Sequence, residues 1–259
     1  LKTFLYRFFI FLTNHKASSM MLMKFSQSKL SRAIIPSYDK LYKLNWEEVE
    51  RNRSDFETLH DLFTRQLKEG ARQINQETNT VVSPVDAVYE DYGDIQSDRN
   101  ILVKGKVYSI QEMLGDNAAL EKYIGGKYMI LYLSPSHYHR IHSPVDGEVV
   151  KRWSLGKLSY PVNKLGLKYG KSTLSKNFRV ITEIKHAFGY LSVVKVGAMF
   201  VNSIEITNDS DKLQKGEELA YFSFGSTVVL LFEKNTFEIN EELQASSQVK
   251  YGEVLGFLK

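Results

Sequence analysis

Ser83-Pro84-Val85-Asp86 returns as Ser143-Pro144-Val145-Asp146, an offset of 60 residues, and each copy opens onto an apolar or acidic run of strand-like texture. This repeat predicts a body built on β-hairpins. From residue 78 onward the apolar runs are short and broken by Gly, Pro, Asn and Asp. Strands are expected at 80–82, 86–90, 101–103, 128–133, 147–153, 178–184, 190–196, 199–207, 218–222 and 227–233. Val228-Val229-Leu230-Leu231-Phe232 is apolar without alternation, as in a strand covered on both faces. Ahead of the body, Trp46, Val49, Phe56, Leu59, Leu62, Phe63 and Leu67 recur at helical spacing. They predict a helix over 46–72, stopped at Gly70, with Asp55 as a cap. A helical insert is expected at 109–122, where Ser109 and Glu112 stand at the capping-box offset. The expected class is α+β, with a helical region over 1–75 and a mainly β, barrel-sandwich-like body over 76–259.

At 259 residues the chain can bury a full core without staples. Having no cysteine, it has no disulfide, thiolate metal site, iron–sulfur ligation or cysteine nucleophile. The net charge of +4 is unevenly spread: residues 1–45 hold eight Lys/Arg and one acid, Asp39, for +7, while the remainder carries −3. A slightly acidic body without base- or phosphate-reading elements argues against nucleic-acid binding.

The basic arm is also apolar. Phe4, Phe8, Phe9 and Phe11 crowd its start, yet the longest unbroken run, Phe8 to Leu12, is far short of the ~20 residues that span a bilayer. A signal peptide would need a small-x-small cleavage signal, and Ala17-Ser18-Ser19 comes nearest. Met20-Met21-Leu22-Met23 lies between Lys16 and Lys24. Two readings fit. One has short helices docked on the body or on a partner subunit. The other is a monotopic anchor, with aromatic rings at the headgroup boundary and Lys2, Arg7, Lys16, Lys24, Lys29 and Arg32 drawn to anionic lipid. The crowding of Phe and Lys favours the anchor. The expected location is therefore peripheral or monotopic on an anionic membrane surface, the cell membrane in a bacterium.

Chemistry-bearing residues cluster in two places. Pro135-Ser136-His137-Tyr138-His139-Arg140-Ile141-His142 holds three histidines within six residues. Imidazole suits zinc, copper and iron. On an extended chain, however, His137 and His139 share one face and His142 takes the other, with no evident companion ligands. Structural packing and non-metal acid–base chemistry stand beside the metal reading. The second place is Gly225-Ser226-Thr227, ahead of the apolar strand. Glycine permits a strained peptide and serine supplies a hydroxyl beside it, but alone this is an ordinary turn. It is neither a Gly-x-Ser-x-Gly elbow nor a phosphate loop. Gly147-Glu148-Val149-Val150 resembles the hairpins of biotinyl and lipoyl carrier domains, whose modified lysine has no counterpart here.

In combination the motifs are more specific. Ser83-Pro84-Val85-Asp86 comes first, then Tyr138-His139-Arg140-Ile141-His142 with Pro144 and Gly147, then Val196-Gly197-Ala198. Lys215-Gly216-Glu217-Glu218-Leu219 follows, leading into Gly225-Ser226-Thr227. In this order they resemble the phosphatidylserine decarboxylase family of self-processing, pyruvoyl-dependent enzymes. The resemblance implies self-cleavage between Gly225 and Ser226, with Ser226 the precursor of a covalent pyruvoyl group. It also implies Asp86, His142 and Ser226 as the processing triad, His139 in decarboxylation, and no metal. Ala87, Ala220, Phe224 and Phe178 depart from the family's usual Gly, Gly, Leu and Glu; Phe178 removes a carboxylate from the Asn177-Phe178-Arg179 stretch.

On this resemblance, His142 takes the Ser226 proton, while Asp86 fixes the imidazole tautomer and stabilises the cation. Ser226 Oγ attacks the adjacent Gly225 carbonyl, so proximity replaces substrate binding. The pyruvoyl carbonyl forms a Schiff base with phosphatidylserine and accepts electrons as carbon dioxide leaves, giving phosphatidylethanolamine. His139 protonates the product or orients the departing carboxylate. The implied partners are phosphatidylserine, an anionic membrane surface and, for each cleavage fragment, the other, with a homo-oligomer left open. Competing readings are a non-enzymatic barrel-sandwich membrane or interaction module, and a decarboxylase of a related serine-headgroup lipid.

Overall fold

The computed structural model describes residues 16–162, 172–198, 204–223 and 226–259. The expected arm residues Lys2, Phe4, Arg7, Phe8, Phe9 and Phe11, and Gly225 at the expected cleavage bond, lie outside them. The chain begins with α1 (Lys16–Gln27), a 3₁₀ turn at Lys29–Ile34 and α2 (Ile35–Tyr42). A second 3₁₀ turn, Arg53–Asp55, precedes α3 (Leu59–Phe63).

The single helix expected over 46–72 does not form. Asn52 and Thr58 take extended backbone conformations that end one segment and open the next. Asp55 reaches back to the Asn52 N–H at 3.2 Å, and Thr58 accepts from the Asp61 N–H at 3.0 Å, so Thr58 is the cap of α3. Val49 bridges Leu67, bringing the two ends of the segment side by side. The apolar spacing serves instead a small core, in which Val49, Phe56, Leu62 and Phe63 pack with Ile35 and Tyr38.

The body opens with β1 (Thr80–Val82), β2 (Ala87–Asp94) and a hairpin of β3 (Asn100–Val103) and β4 (Lys106–Ser109). The 109–122 insert is two helices, α4 (Ile110–Leu114), capped by Ser109, and α5 (Asn117–Tyr123), capped by Asp116. Gly115 divides them at φ 60°, and a side chain there would meet Leu155 Cδ1 at 2.6 Å. Next come β5 (Lys127–Leu133), β6 (Arg140–His142), β7 (Gly147–Leu155), the short α6 (Thr173–Lys176), β8 (Arg179–His186) and β9 (Gly189–Gly197). The chain ends with β10 (Ile204–Ile206), β11 (Lys212–Leu213), β12 (Glu218–Phe222), β13 (Ser226–Phe232), β14 (Phe237–Ile239), β15 (Gln248–Val249) and β16 (Val254–Leu258).

An eight-stranded antiparallel sheet, ordered β11-β7-β8-β9-β13-β5-β2-β15, is accompanied by three-stranded sheets β1-β16-β14 and β6-β12-β10. No sheet closes into a barrel among the described residues, so the class is α+β with open sheets. Strand β13 is buried along its whole length. Val228, Leu230 and Phe232 enter one core and Val229 and Leu231 the other, because alternate side chains leave opposite faces.

The two Ser-Pro-Val-Asp segments are related by more than sequence. Ser83 Oγ donates to the Val85 carbonyl at 2.6 Å and Ser143 Oγ to the Val145 carbonyl at 2.7 Å. The Val82 N–H donates to Pro144 and the His142 N–H to Pro84, at 3.0 and 2.9 Å. Gly252 donates to Ser83 and Gly216 to Ser143, both glycines at positive φ, 90° and 85°. Strand pairings follow suit: β1 with β16 and β2 with β15 correspond to β6 with β12 and β7 with β11. The body is thus a duplicated unit whose second copy, β6 to β12, is inserted between β5 and β13 of the first. In the second copy β8 and β9 close a hairpin from His186 to Gly189. In the first, the equivalent pair begins at Leu133 and Ser226.

Candidate active site

Ser226 stands where that hairpin has been opened. As the first residue of β13 it is paired with Leu133 on one side and Gly197 on the other. It is fully buried, and its Oγ has no hydrogen-bond partner among the described residues. Leaving a buried hydroxyl unpaired costs about 1–3 kcal/mol. The facing strand is fixed by Asn177, whose Nδ2 donates to the Gly197 carbonyl at 2.8 Å and to Tyr160 at 2.7 Å. Arg179 spans the carbonyls of Met113 and Asn177, at 2.7 and 2.8 Å. Phe178 packs on the adjoining core. The Asn-Phe-Arg stretch therefore frames the backbone opposite Ser226.

The chain crosses between the same two sheets twice, from Leu133 to Arg140 and from Phe222 to Ser226. Both crossings start and end on paired strands, and the Phe222 N–H donates to the His139 carbonyl at 2.9 Å. His139 and Ser226 thereby come to one junction. The His139 Nδ1–H donates to the His137 carbonyl at 2.8 Å, which fixes the tautomer and leaves Nε2 with its lone pair. That Nε2 is buried without a partner, and Phe63 of α3 covers the ring at 3.9 Å. Burial, with the Arg65 charge nearby, holds the imidazole well below its usual pKa.

The N-terminal region builds this junction as much as the body does. Arg65 Nη2 donates to the carbonyls of Ser136 and His137 at 2.7 and 3.0 Å. Tyr38 donates to the Pro135 carbonyl, and His60 Nε2 lies 3.4 Å from Ser223 Oγ. Arg140 forks onto Glu218 at 2.8 and 2.9 Å.

His142 and Asp86 occupy neighbouring pieces of the duplicated turns. The His142 Nδ1–H donates to the Gly216 carbonyl at 3.0 Å, and Nε2 faces the Tyr138 hydroxyl at 3.1 Å. A carbonyl can only accept, so the tautomer is set by Gly216. Burial pushes the His142 pKa down to about 4, against the smaller upward pull of Glu218 and Asp86. Asp86 Oδ1 accepts from Arg72 Nε at 3.0 Å and from the Tyr251 N–H at 2.9 Å, while Oδ2 takes Arg72 Nη2 at 2.5 Å. Tyr251 couples the two residues, since its ring stacks on His142 at 3.7 Å. In this arrangement no hydrogen bond joins Asp86, His142 and Ser226 to one another. The ring nitrogens of the three clustered histidines turn to different partners, and no group of three or more His, Asp or Glu suited to a metal occurs among the described residues.

Sequence reasoning assigned no role to Arg72, Tyr138 or Tyr251. A second, weaker repeat carried a signal for the last: Lys215-Gly216-Glu217 and Tyr251-Gly252-Glu253 occupy equivalent turns, their first residues donating to Asp146 and Asp86 at 2.8 and 2.9 Å.

Residues 59–257 match the family model described as phosphatidylserine decarboxylase. A phosphatidylserine decarboxylase proenzyme of Geobacillus sp. (strain WCH70) is 58% identical over 255 residues, covering 98% of both chains. One of Anoxybacillus flavithermus is 59% identical over 254 residues, 98% of this chain and 96% of that one. One of Geobacillus kaustophilus is 53% identical over 257 residues, 99% of this chain and 97% of its own.

Proposed function

Since the chain belongs to the phosphatidylserine decarboxylase family, we propose that it converts phosphatidylserine to phosphatidylethanolamine and carbon dioxide at a pyruvoyl group made from its own Ser226. The observation that carries the site assignment is the buried, unpartnered Ser226 Oγ at the junction that also holds the unpartnered His139 Nε2. Both atoms are costly to leave unpaired in a stable fold, and both are what the chemistry requires.

For self-cleavage, Ser226 Oγ attacks the Gly225 carbonyl, and its proton passes to His142 Nε2, the nitrogen whose lone pair faces Tyr138. From there it goes on to the Ser226 nitrogen as the Gly225–Ser226 C–N bond breaks to leave an ester. Loss of the Ser226 Cα proton then expels the Gly225 carboxylate, and hydrolysis of the resulting dehydroalanine releases ammonia and leaves the pyruvoyl group. The Gly216 carbonyl holds the imidazole in the accepting tautomer. Asp86, held by Arg72, lies behind Tyr251 and offsets the imidazolium charge through space. The small, hydroxyl-bearing Ser226 and the acid–base groups around it fit a pyruvoyl precursor. Once formed, that group supplies a carbonyl that takes up the electrons released as carbon dioxide departs. The serine amine of the lipid arrives protonated, and His139 Nε2 accepts that proton and returns it to the carbon left by carbon dioxide.

The arm side supports membrane docking. Met21, Leu30 and Leu41 are 72%, 77% and 70% exposed along α1, the following 3₁₀ turn and α2, with Lys24, Lys29 and Arg32 among them. No helix among the described residues is long and apolar enough to cross a membrane. A surface of this kind fits an anionic bilayer, with the enzyme on the membrane rather than through it.

Intact mass of the purified chain, read beside carbon dioxide release from phosphatidylserine, tests this assignment. Fragments 1–225 and 226–259 are expected, the second lighter by one ammonia than a serine-initiated peptide. An active preparation holding only an uncleaved chain with unmodified Ser226 would sink it.

A further inference from the structure

A cleft of about 330 Å³ opens between the N-terminal region and the histidine-bearing loop. Its wall includes Asp86, His137 and Tyr138, together with Lys43, Arg65, Arg72 and Lys250. The volume is at the lower end of small-ligand sites, which run from ~300 Å³ upward. Three carboxylates share the wall, and most of the charge cancels. Arg72 bridges Glu48 and Asp86, and Lys250 also pairs with Glu48 at 3.0 Å, while Glu253 accepts only the Lys250 backbone N–H, at 2.9 Å.

Four cations against three carboxylates leave one positive charge in excess. Two of the cations, Lys43 and Arg65, are in no ion pair among the described residues. Arg65 is 5% exposed, and its Nε is buried with no partner, although its Nη2 grips the loop carbonyls. A buried guanidinium without a counter-anion is unfavourable unless something supplies the charge. Lys43 is exposed and sits in the left-handed region, φ 52°, directly after α2. A branched or long side chain held there costs about 1–2 kcal/mol. Leu41, two residues before Lys43 on α2, is an exposed apolar side chain.

We propose that this cleft binds the phosphodiester of the serine lipid, with Lys43 at the rim and Arg65 in the wall meeting the anionic oxygens. The inference rests on the decarboxylase assignment and adds the groups that select its substrate. An acyl-chain boundary at Leu41, a cation at Lys43 and a second cation on the carbonyls beside His139 follow the order of parts in a phospholipid, from tail to phosphate to amino acid. Because Arg65 holds Ser136 and His137 through their carbonyls, the same guanidinium ties the anion to the loop that carries the acid–base histidine. A planar fork suits this double duty better than an ammonium does.

The test uses the full, self-processed chain and phosphatidylserine in mixed detergent micelles. Lys43→Gln should raise KM about threefold, as for an exposed charge contact, and Lys43→Glu further. Arg65→Gln should raise it ~10-fold or more, with Arg65→Lys recovering part of the loss. Both Lys43 variants should still self-cleave, which a fold-disrupting change would prevent, and KM of the Arg65 variants is read on their self-processed fraction. Soluble glycerophosphoserine should compete with lipid in the wild type and lose potency in Lys43→Glu. Unchanged KM in both Lys43→Glu and Arg65→Gln would overturn the proposal. So would inorganic phosphate competing as well as glycerophosphoserine, since the cleft would then read free phosphate and not the diester. A wild-type chain that releases no carbon dioxide on the same micelles would instead remove the decarboxylase assignment beneath it.

Discussion

Tyr138 faces Nε2 of His142 with its hydroxyl, 3.1 Å away, while Gly216 holds the opposite nitrogen at 3.0 Å. The atom proposed to receive the serine proton is therefore already in contact with a donor. A hydroxyl donating to a neutral imidazole favours the neutral form, in the same direction as burial.

The acid limb of self-cleavage should report that contact. A protonated His142 cannot accept a proton, so the rate should hold as pH falls below 6.5 and decline only near the buried pKa of about 4. Tyr138→Phe removes the donor and should move the limb toward higher pH. Cleavage followed by gel densitometry between pH 4 and 7 measures it, and an unmoved limb would leave Tyr138 without this effect on His142.

Stability should fall over the same acid range. His142 and His186 are both held down to about 4 by burial, and burial holds His139 well below its ordinary value too. Between the unfolded value near 6.5 and these depressed values the unfolded chain binds the protons, so acidification favours unfolding. Denaturant midpoints of the uncleavable Ser226→Ala chain, taken from pH 7 to 4, should drop steadily. That substitution should itself stabilise the chain by about 1–3 kcal/mol, since it removes a buried hydroxyl that has no partner among the described residues.

Arg72→Gln should cost about 3 kcal/mol, because it strands the buried Asp86 carboxylate that Arg72 now grips. Adding Asp86→Asn should recover part of the loss, giving a coupling between the pair in a double-mutant cycle on the Ser226→Ala background. Additive losses would mean that the fork contributes little.

His139→Ala should self-cleave and yet lose decarboxylation by about a hundredfold or more, while His142→Ala should fail to cleave. The split is the one expected from the roles proposed above for the two histidines. His142 is fixed among the duplicated turns, whereas His139 presents a bare Nε2 at the junction with Ser226. Normal turnover in His139→Ala would reverse the assignment.

The duplicated Ser-Pro-Val-Asp turns and the apolar run of β13 were legible because both are local signals, a short repeat and an unbroken apolar stretch. The 46–72 segment was misread because apolar spacing marks which residues are buried and does not require one continuous helix. Val49, Phe56 and Phe63 are buried by folding the segment back on itself. Of the candidate site, the sequence could name only residues that carry chemistry themselves. Arg72 on Asp86 is a tertiary contact that no local pattern announces, and Tyr251 on His142 has only the weaker Tyr251-Gly252-Glu253 repeat to signal it.

The inserted second copy changes what the proposed cut before Ser226 would do to the molecule. Before the cut that copy is tethered at both ends, through 134–139 and through 223–225. Afterwards one tether remains, while β13 keeps both neighbours, β5 and β9, along all seven residues. The new chain end is thus released from the backbone but not from the sheet. It gains the rotational freedom of a terminus at a point whose position stays as fixed as an interior strand, which is the condition under which a group at that end can meet a substrate without losing its alignment.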